Sequence, residues 1–371
     1  MTNYRAFEMD SRNAYIRHDS FSDLAQVDAV ILDCDGVLID TKESYDQAVL
    51  FTAGRLSSVI LGLDYSNLYS RQDLYALRST GGFNNDWDLT CALVSYTLSL
   101  NQTESMAELL REASGLGLEE RIEYIGRRVT GNSGYIPPKI DVLANQLGAT
   151  GLKALDSFYE EKGMAALIEA LDGVLSYPGG VGESPITTMF EEVFCGGSLY
   201  SEIYGREPVF VKLRTGLIEQ EKLIVNPAML EELSQYVDGR LGIASGSLKA
   251  QAEYILNPIL DYFRPEACIW MDDVDEAKRE TGRSDLHKPN PYSLLQAAAQ
   301  LNAVMILYVG DTQADLMMAK NVSRDLDVIF AGVYVDSADP SQMKADFMQA
   351  GSDIIMPSVN ELTMILREDV S

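Results

Sequence analysis

The chain has 371 residues, of which 46% are apolar, enough to fill a sizeable core and to exclude a disordered chain. Lysine and arginine number 29 against 56 aspartates and glutamates, a formal net charge of −27. Such acidity repels a phosphate backbone or an anionic membrane surface, so general nucleic-acid and membrane binding are not expected, and a small phosphorylated ligand would need a metal or a local cluster of cations to offset the field.

In chain order, residues 1–26 read as a loosely structured lead-in. Residues 28–33 (DAVILD) form a short apolar run closed by Cys34-Asp35-Gly36, the pattern of a buried strand ending in a turn. The next stretch, 41–225, is mostly helical in pattern, over 42–60, 68–79, 86–100, 103–114, 117–129, 138–147 and 151–172, with breakers at Gly81-Gly82, Pro137-Pro138 and Pro178-Gly179-Gly180. Residues 206–225 read either as a hairpin about Thr215-Gly216 or as a helix returning to the core. From 226 onward strands and helices alternate. Strands are expected at 240–245, 267–272, 304–310 and 328–335, with a weaker one at 353–356. Helices are expected at 226–237, 247–257, 291–302, 313–321, 340–350 and 359–367. This alternation predicts an α/β fold, a Rossmann-like doubly wound parallel sheet with helices on both faces. The sheet domain comprises 1–40 plus 226–371, and a large, mainly α-helical domain, 41–225, is inserted after the first strand.

The strand ends carry the chemistry. Asp33 and Asp35 are two apart on a strand and share a face, while Cys34 faces the other way as a small core residue. Asp311 and Asp315 follow the strand 304–310 in Gly310-Asp-Thr-Gln-Ala-Asp315. Ligands of open α/β sheets bind beyond the carboxyl ends of the strands, where Asp33, Asp35, Ser245 and Asp311 are expected to meet. Crowded carboxylates repel unless a cation offsets them, and an all-oxygen set suits Mg²⁺. Taken singly, each aspartate also fits a helix cap or turn. Ser245, ahead of Gly246-Ser247 and a helix, offers a hydroxyl and backbone N–H groups as an anion cradle, or a plain helix cap. Lys288 sits in His287-Lys-Pro-Asn-Pro291, where the prolines stiffen a point charge; alone it also reads as a surface lysine. In the insert, 80–87 (TGGFNNDW) offers Asn84, Asn85 and Trp87 as substrate contacts, or as a tight turn, a helix cap and a core ring. Of the cations Arg71, Arg78, Lys212 and Arg214, most are expected to be solvated.

With these residues in view, the chain resembles the haloacid dehalogenase superfamily, in its phosphatase and phosphomutase-like branch. The resemblance rests on Asp33-Cys-Asp-Gly-Val-Leu-Ile-Asp40, Ser245 after an apolar strand, Lys288 before Pro-Asn-Pro, and Gly310-Asp-Thr-Gln-Ala-Asp315, in the family's order. It implies that Asp33 is the nucleophile and a Mg²⁺ ligand. Asp35 would be the general acid and then base, with its carbonyl on the metal. Ser245 and the N–H of Gly246 would hold the phosphoryl oxygens, with Lys288 neutralising nucleophile and phosphate. Asp311 would ligate Mg²⁺, and Asp315 would support Lys288 or a metal-bound water. The insert resembles the family's cap, at greater length. The resemblance therefore implies a Mg²⁺-dependent phosphomonoesterase acting on a small metabolite, of sugar-phosphate or phospho-acid type, through an aspartyl-phosphate. Its rivals are a sugar phosphomutase of the β-phosphoglucomutase type and a non-catalytic binding protein on the same fold. Asp35 argues against a dehalogenase, because a halide leaving group needs no proton.

Four irregularly spaced cysteines, Cys34, Cys91, Cys195 and Cys268, include no CxxC pair and suggest neither disulfides nor zinc. The first twenty residues lack an apolar targeting core, and no apolar run is long enough to span a bilayer. A cytoplasmic protein is expected, with homo-oligomerisation left open.

Overall fold

The computed structural model of the chain describes residues 3–9, 12–63, 68–83, 85–129, 134–147, 150–322, 326–337 and 339–368. Two compact units emerge, Met1–Lys42 with Glu221–Ser371, and Glu43–Gln220.

The first unit carries the sheet. Its strands are β1 (Tyr4–Met9), β2 (Arg12–Arg17), β3 (Ala29–Leu32), β4 (Ile39–Asp40), β5 (Lys222–Leu223), β6 (Leu241–Ala244), β7 (Cys268–Ile269), β8 (Met305–Gly310), β9 (Asp327–Val333) and β10 (Ile354–Met356). Eight of them form one sheet in the order β1-β2-β10-β9-β8-β3-β6-β7, parallel from β10 to β7. The parallel strands are apolar throughout because both faces are covered. Along β3 and β8 alternate residues enter opposite layers: Val30, Leu32, Leu307 and Val309 one cluster, Ala29, Ile31, Ile306 and Tyr308 the other. The order of connection reverses between β3 and β8, so the crevice beyond their carboxyl ends is the topological switch point of a doubly wound sheet.

Three local expectations are corrected. Residues 1–26 are not a loose lead-in: β1 and β2 form an antiparallel hairpin that extends the sheet beside β10. Ala14 and Ile16 are buried there, and Arg17 ties the hairpin down through an ion pair to Asp353 (2.7 Å) and a bond to Gly351 O (2.6 Å). The run 267–272 is a strand only to Ile269. A helix, Met271–Thr281, begins at once because Asp273 accepts from Trp270 N (2.8 Å) and Asp272 joins it in the first turn. Residues 206–225 make neither a hairpin nor an α-helix. A 3₁₀ turn, Leu217–Gln220, leads into β5, which pairs antiparallel with β4.

The second unit is built of helices: Glu43, at the unit's start, lies in Lys42–Leu61, followed by Arg71–Arg78, Asp86–Leu100, Glu104–Ser114, Leu118–Arg128, Ile140–Ala144, Leu152–Glu161, Ala165–Leu175 and Pro185–Tyr204. The helical pattern over 151–172 is two helices, separated about Gly163. The helix Pro185–Tyr204 was not expected from the pattern. Ser184 caps it, Pro185 opens it, and it kinks at Gly196, where φ is +70°. A Cβ at Gly196 would stand 2.2 Å from the backbone nitrogen of Gly216, so the kink admits only glycine. No helix among the described residues is long and apolar enough to cross a membrane.

Candidate active site

Strand ends place Asp33, Asp35, Ser245 and Asp311, while Lys288 comes from the loop before the helix Tyr292–Leu301 and Asp315 from the first turn of the helix Gln313–Lys320. Asp33 continues β3 and is held in register by its N–H, which donates to Val309 O on β8 (2.9 Å). The chain then turns tightly, with Leu38 N and Ile39 N both donating to Cys34 O. Gly36 adopts φ +71° in this turn. A Cβ there would lie 2.1 Å from Asp311 Oδ2, so a glycine is what allows the first turn and the end of β8 to meet. Cys34 is buried in the apolar layer, as its small-core reading requires, and burial pushes its thiol well up.

Lys288 joins two acids. Its Nζ lies 2.8 Å from Asp33 Oδ1 and 2.8 Å from Asp315 Oδ1. Asp33 Oδ1 also accepts from Cys34 N (2.8 Å). Asp315 is wholly buried and saturated. Its Oδ1 accepts from Lys288 and from the Tyr308 hydroxyl (2.7 Å), and its Oδ2 from Thr312 N (3.1 Å) and Thr312 Oγ1 (2.6 Å). The Thr312 N bond, together with Asp315 N donating to Thr312 Oγ1 (3.2 Å), forms the capping box of the helix Gln313–Lys320. Just beyond β6, Ser245 Oγ and Ser247 Oγ are 2.9 Å apart, and Ser247 Oγ donates to Asp35 Oδ2 (2.9 Å). Asp33, Asp35, Ser245, Lys288, Asp311 and Asp315 are thereby drawn into one neighbourhood.

The electrostatics follow from burial and crowding. Burial raises the Asp33 carboxyl to about 7 despite Lys288, with Asp315 and Asp35 adding to the rise. Asp311 is pushed well up by burial and by Asp315 and Asp33. Burial also disfavours an ionised Asp315, but Lys288 and the donated hydrogen bonds outweigh it and hold Asp315 below the ordinary range. For Lys288 burial works against the charge, yet Asp315 and Asp33 prevail and raise it. The site therefore contains a locked ion pair, Lys288–Asp315, beside two acids that lack sufficient positive charge.

Carboxylate oxygens of Asp33, Asp311 and Asp315 all lie within 4.8 Å of one another, close enough to hold a cation. Since a carboxylate offers about four lone-pair sites and Asp315 uses them on four donors, Asp33 and Asp311 are the acids with capacity left.

The anion cradle is smaller than the sequence suggests. The helix starts at Lys249, not at Ser247, and the Lys249 N–H is taken by Asp272 Oδ2 (2.7 Å). Ser247 N donates to Ser245 Oγ (3.1 Å), and Ser245 N to Ile269 O (3.0 Å). Because Ser247 Oγ gives its proton to Asp35, the Ser245 hydroxyl and the exposed Gly246 are the groups left to meet an anion. Three members of the site escaped sequence reasoning: Ser247, Tyr308 and Thr312. Tyr308 carried a signal, as the one polar side chain in the otherwise apolar run MILYVG.

In the helical unit, Asn84 lies outside the described residues. Asn85 Oδ1 accepts from Trp87 N and Asp88 N and caps the helix Asp86–Leu100, while the Trp87 ring stands edge-on to Phe190 at 6.4 Å. These are the contacts of the turn-and-cap alternative. Among the four cations of the insert, Arg78 lies between Asp46 (2.6 Å) and Asp86 (2.7 Å). Arg71 pairs with Glu43, and Lys212 and Arg214 are exposed.

A family model described as haloacid dehalogenase-like hydrolase matches residues 188–323. No curated protein matches the chain. Among solved structures, an X-ray structure of a Northeast Structural Genomics Consortium target aligns with 19% identity over 92% of this chain and 99% of its own, at a TM-score of 0.65. Phosphatase Tt82 from Thermococcus thioreducens aligns with 20% identity over 87% of this chain and 99% of its own, at a TM-score of 0.49. The chain is thus similar to haloacid dehalogenase-like hydrolases over residues 188–323, and its doubly wound sheet is the fold it shares with the Northeast Structural Genomics Consortium target.

Proposed function

We propose that the chain is a Mg²⁺-dependent phosphomonoesterase that hydrolyses a small phosphorylated metabolite through an aspartyl-phosphate. The observation that carries this reading is the charge balance at the strand ends. Lys288 is the cation bridging Asp33 and Asp315, and it faces four acids once Asp35 and Asp311 are counted. A phosphate dianion does not approach such a site without a further cation. The donors are hard carboxylate oxygens, the set that suits Mg²⁺ together with a substrate phosphate, and Asp33 and Asp311 would hold it. Bound there, Mg²⁺ supplies charge neutralisation for the transferring phosphoryl oxygens.

The chain's own residues divide the remaining work. Asp33 attacks phosphorus while the ester P–O bond breaks, and Asp35 gives its proton to the leaving oxygen. Asp35 then takes a proton from the water that attacks the phosphorylated Asp33, releasing inorganic phosphate and restoring both carboxyls. Ser247 orients Asp35 through Oδ2. The Ser245 hydroxyl and Gly246 N–H serve the phosphoryl oxygens, and Lys288 keeps positive charge at the nucleophile. We assign the helical unit the role of the family's cap, and the four free cysteines support a reducing, cytoplasmic setting.

The test is hydrolysis of p-nitrophenyl phosphate by the full chain. Turnover is expected with Mg²⁺, and Asp33→Asn is expected to lower it by roughly a thousandfold or more, since the covalent route is lost. Wild-type rates in Asp33→Asn, or after complete chelation, would overturn the reading.

A further inference from the structure

Strand β8 is aliphatic except at Tyr308, and that residue is wholly buried. A phenylalanine would fill the same volume against Phe330, whose ring centre is 6.0 Å away. A buried hydroxyl costs free energy unless it is paired. Here it has one close acceptor, Asp315 Oδ1 at 2.7 Å, with Ala244 O at 3.5 Å as a distant second. The same Asp315 oxygen receives the Lys288 ammonium at 2.8 Å, and that ammonium also sits 2.8 Å from Asp33 Oδ1. Four atoms thus form a chain: phenol, Asp315, ammonium, Asp33. The ammonium lies between two acids that compete for it, and the phenol acts on one competitor only.

We propose that Tyr308 is a positioning residue of this site: by sharing Asp315 Oδ1, its hydroxyl limits the pull of Asp315 on Lys288 and leaves the ammonium divided with Asp33. Without the phenol, Oδ1 has one donor instead of two and becomes the stronger acceptor for Lys288. The ammonium is then drawn toward Asp315, and its field at Asp33 and at a phosphoryl group on Asp33 weakens. In a buried site, where solvent screens little, such a displacement matters more than it would in water. The kinetic consequence rests on the phosphomonoesterase reading above; the placement of the ammonium does not.

The experiment compares wild type with Tyr308→Phe in the full chain, with Mg²⁺ and p-nitrophenyl phosphate, after thermal melting has established that both fold. The expected result is a fall in kcat of about tenfold with KM within about twofold, the split of an interaction that serves the reacting charges rather than binding. In an Asp315→Asn background the same change is expected to add less than about twofold, because the carboxylate charge that competes for Lys288 is gone. A second readout needs no turnover. The ¹⁵N resonance of the Lys288 ammonium, assigned by its loss in Lys288→Met, is expected to exchange faster with water in Tyr308→Phe. An unchanged kcat together with unchanged ammonium exchange would overturn the inference. So would a tenfold loss that recurs in full on the Asp315→Asn background. Should the wild-type chain fail to hydrolyse while its ammonium still responds to Tyr308→Phe, the reaction reading falls and the positioning role stands.

Discussion

Removing Lys288 tests the charge logic of the site without any assay of activity. Lys288→Met keeps most of the side chain's volume and deletes the ammonium that bridges Asp33 and Asp315. Breaking a buried ion pair by taking one partner away costs roughly 3–5 kcal/mol, because the remaining charge is stranded. The pH dependence separates this cause from a packing defect. Asp315 is held below its ordinary value of 3.8, so its contribution is present above 3.8 and is lost as pH falls through the folded value. Lys288 is raised above 10.5, so its contribution is present below 10.5 and lost as pH rises through the folded value. Between pH 5 and pH 8 the wild-type pair therefore contributes a constant amount. Asp33 runs the other way: its folded value is raised to about 7, so stability is lost as pH climbs from 3.8 through about 7.

In the variant neither acid has its cation. Each one that stays protonated in the folded state adds a penalty of about 1.4 kcal/mol per pH unit. The loss in Lys288→Met is expected to reach roughly 3–5 kcal/mol at pH 8 and to be smaller by about 1 kcal/mol or more at pH 5. Urea unfolding in the presence of a chelator measures it. Trp270 is buried in the sheet unit and Trp87 lies in the helical one, so a Trp87→Phe background lets fluorescence follow the sheet unit alone. A loss below about 1 kcal/mol at pH 8, or an equal loss at both pH values, would refute the argument.

Two further outcomes follow from the packing. Gly36→Ala introduces a Cβ at φ +71° and 2.1 Å from Asp311 Oδ2; a cost of about 1–2 kcal/mol from the backbone and a displaced Asp311 are expected, read as a lower melting temperature and weaker Mg²⁺ binding by calorimetry. Unchanged Mg²⁺ affinity would separate Asp311 from the cation site. Ile16→Ala, in the N-terminal hairpin, is expected to cost about 2–4 kcal/mol if β2 is an integral strand, measured by the same unfolding experiment. A cost near zero would return residues 1–26 to the status of a loose lead-in.

Much of the sheet and of the site was legible in the linear sequence because the signals are local. An apolar run ended by Asp33-Cys34-Asp35-Gly36, or by Gly310-Asp311, announces a buried strand and the turn beyond it within a few residues. The alternation after residue 226 fixes the parallel class, and that class puts the strand ends on one edge. Tertiary structure alone decided what depends on partners distant in the chain. The N-terminal hairpin exists as part of the sheet because β10, more than three hundred residues away, offers an edge. The short pair of β4 and β5 joins two segments whose pairing no local pattern announces. The roles of Ser247 and Tyr308 belong here too, since a serine three residues past a strand and a phenol within one are ordinary until the fold sets each against an acid from elsewhere, Asp35 and Asp315. Periodicity and turn chemistry act over the next few residues, whereas the meeting of an ammonium, a phenol and two carboxylates is a property of the closed chain.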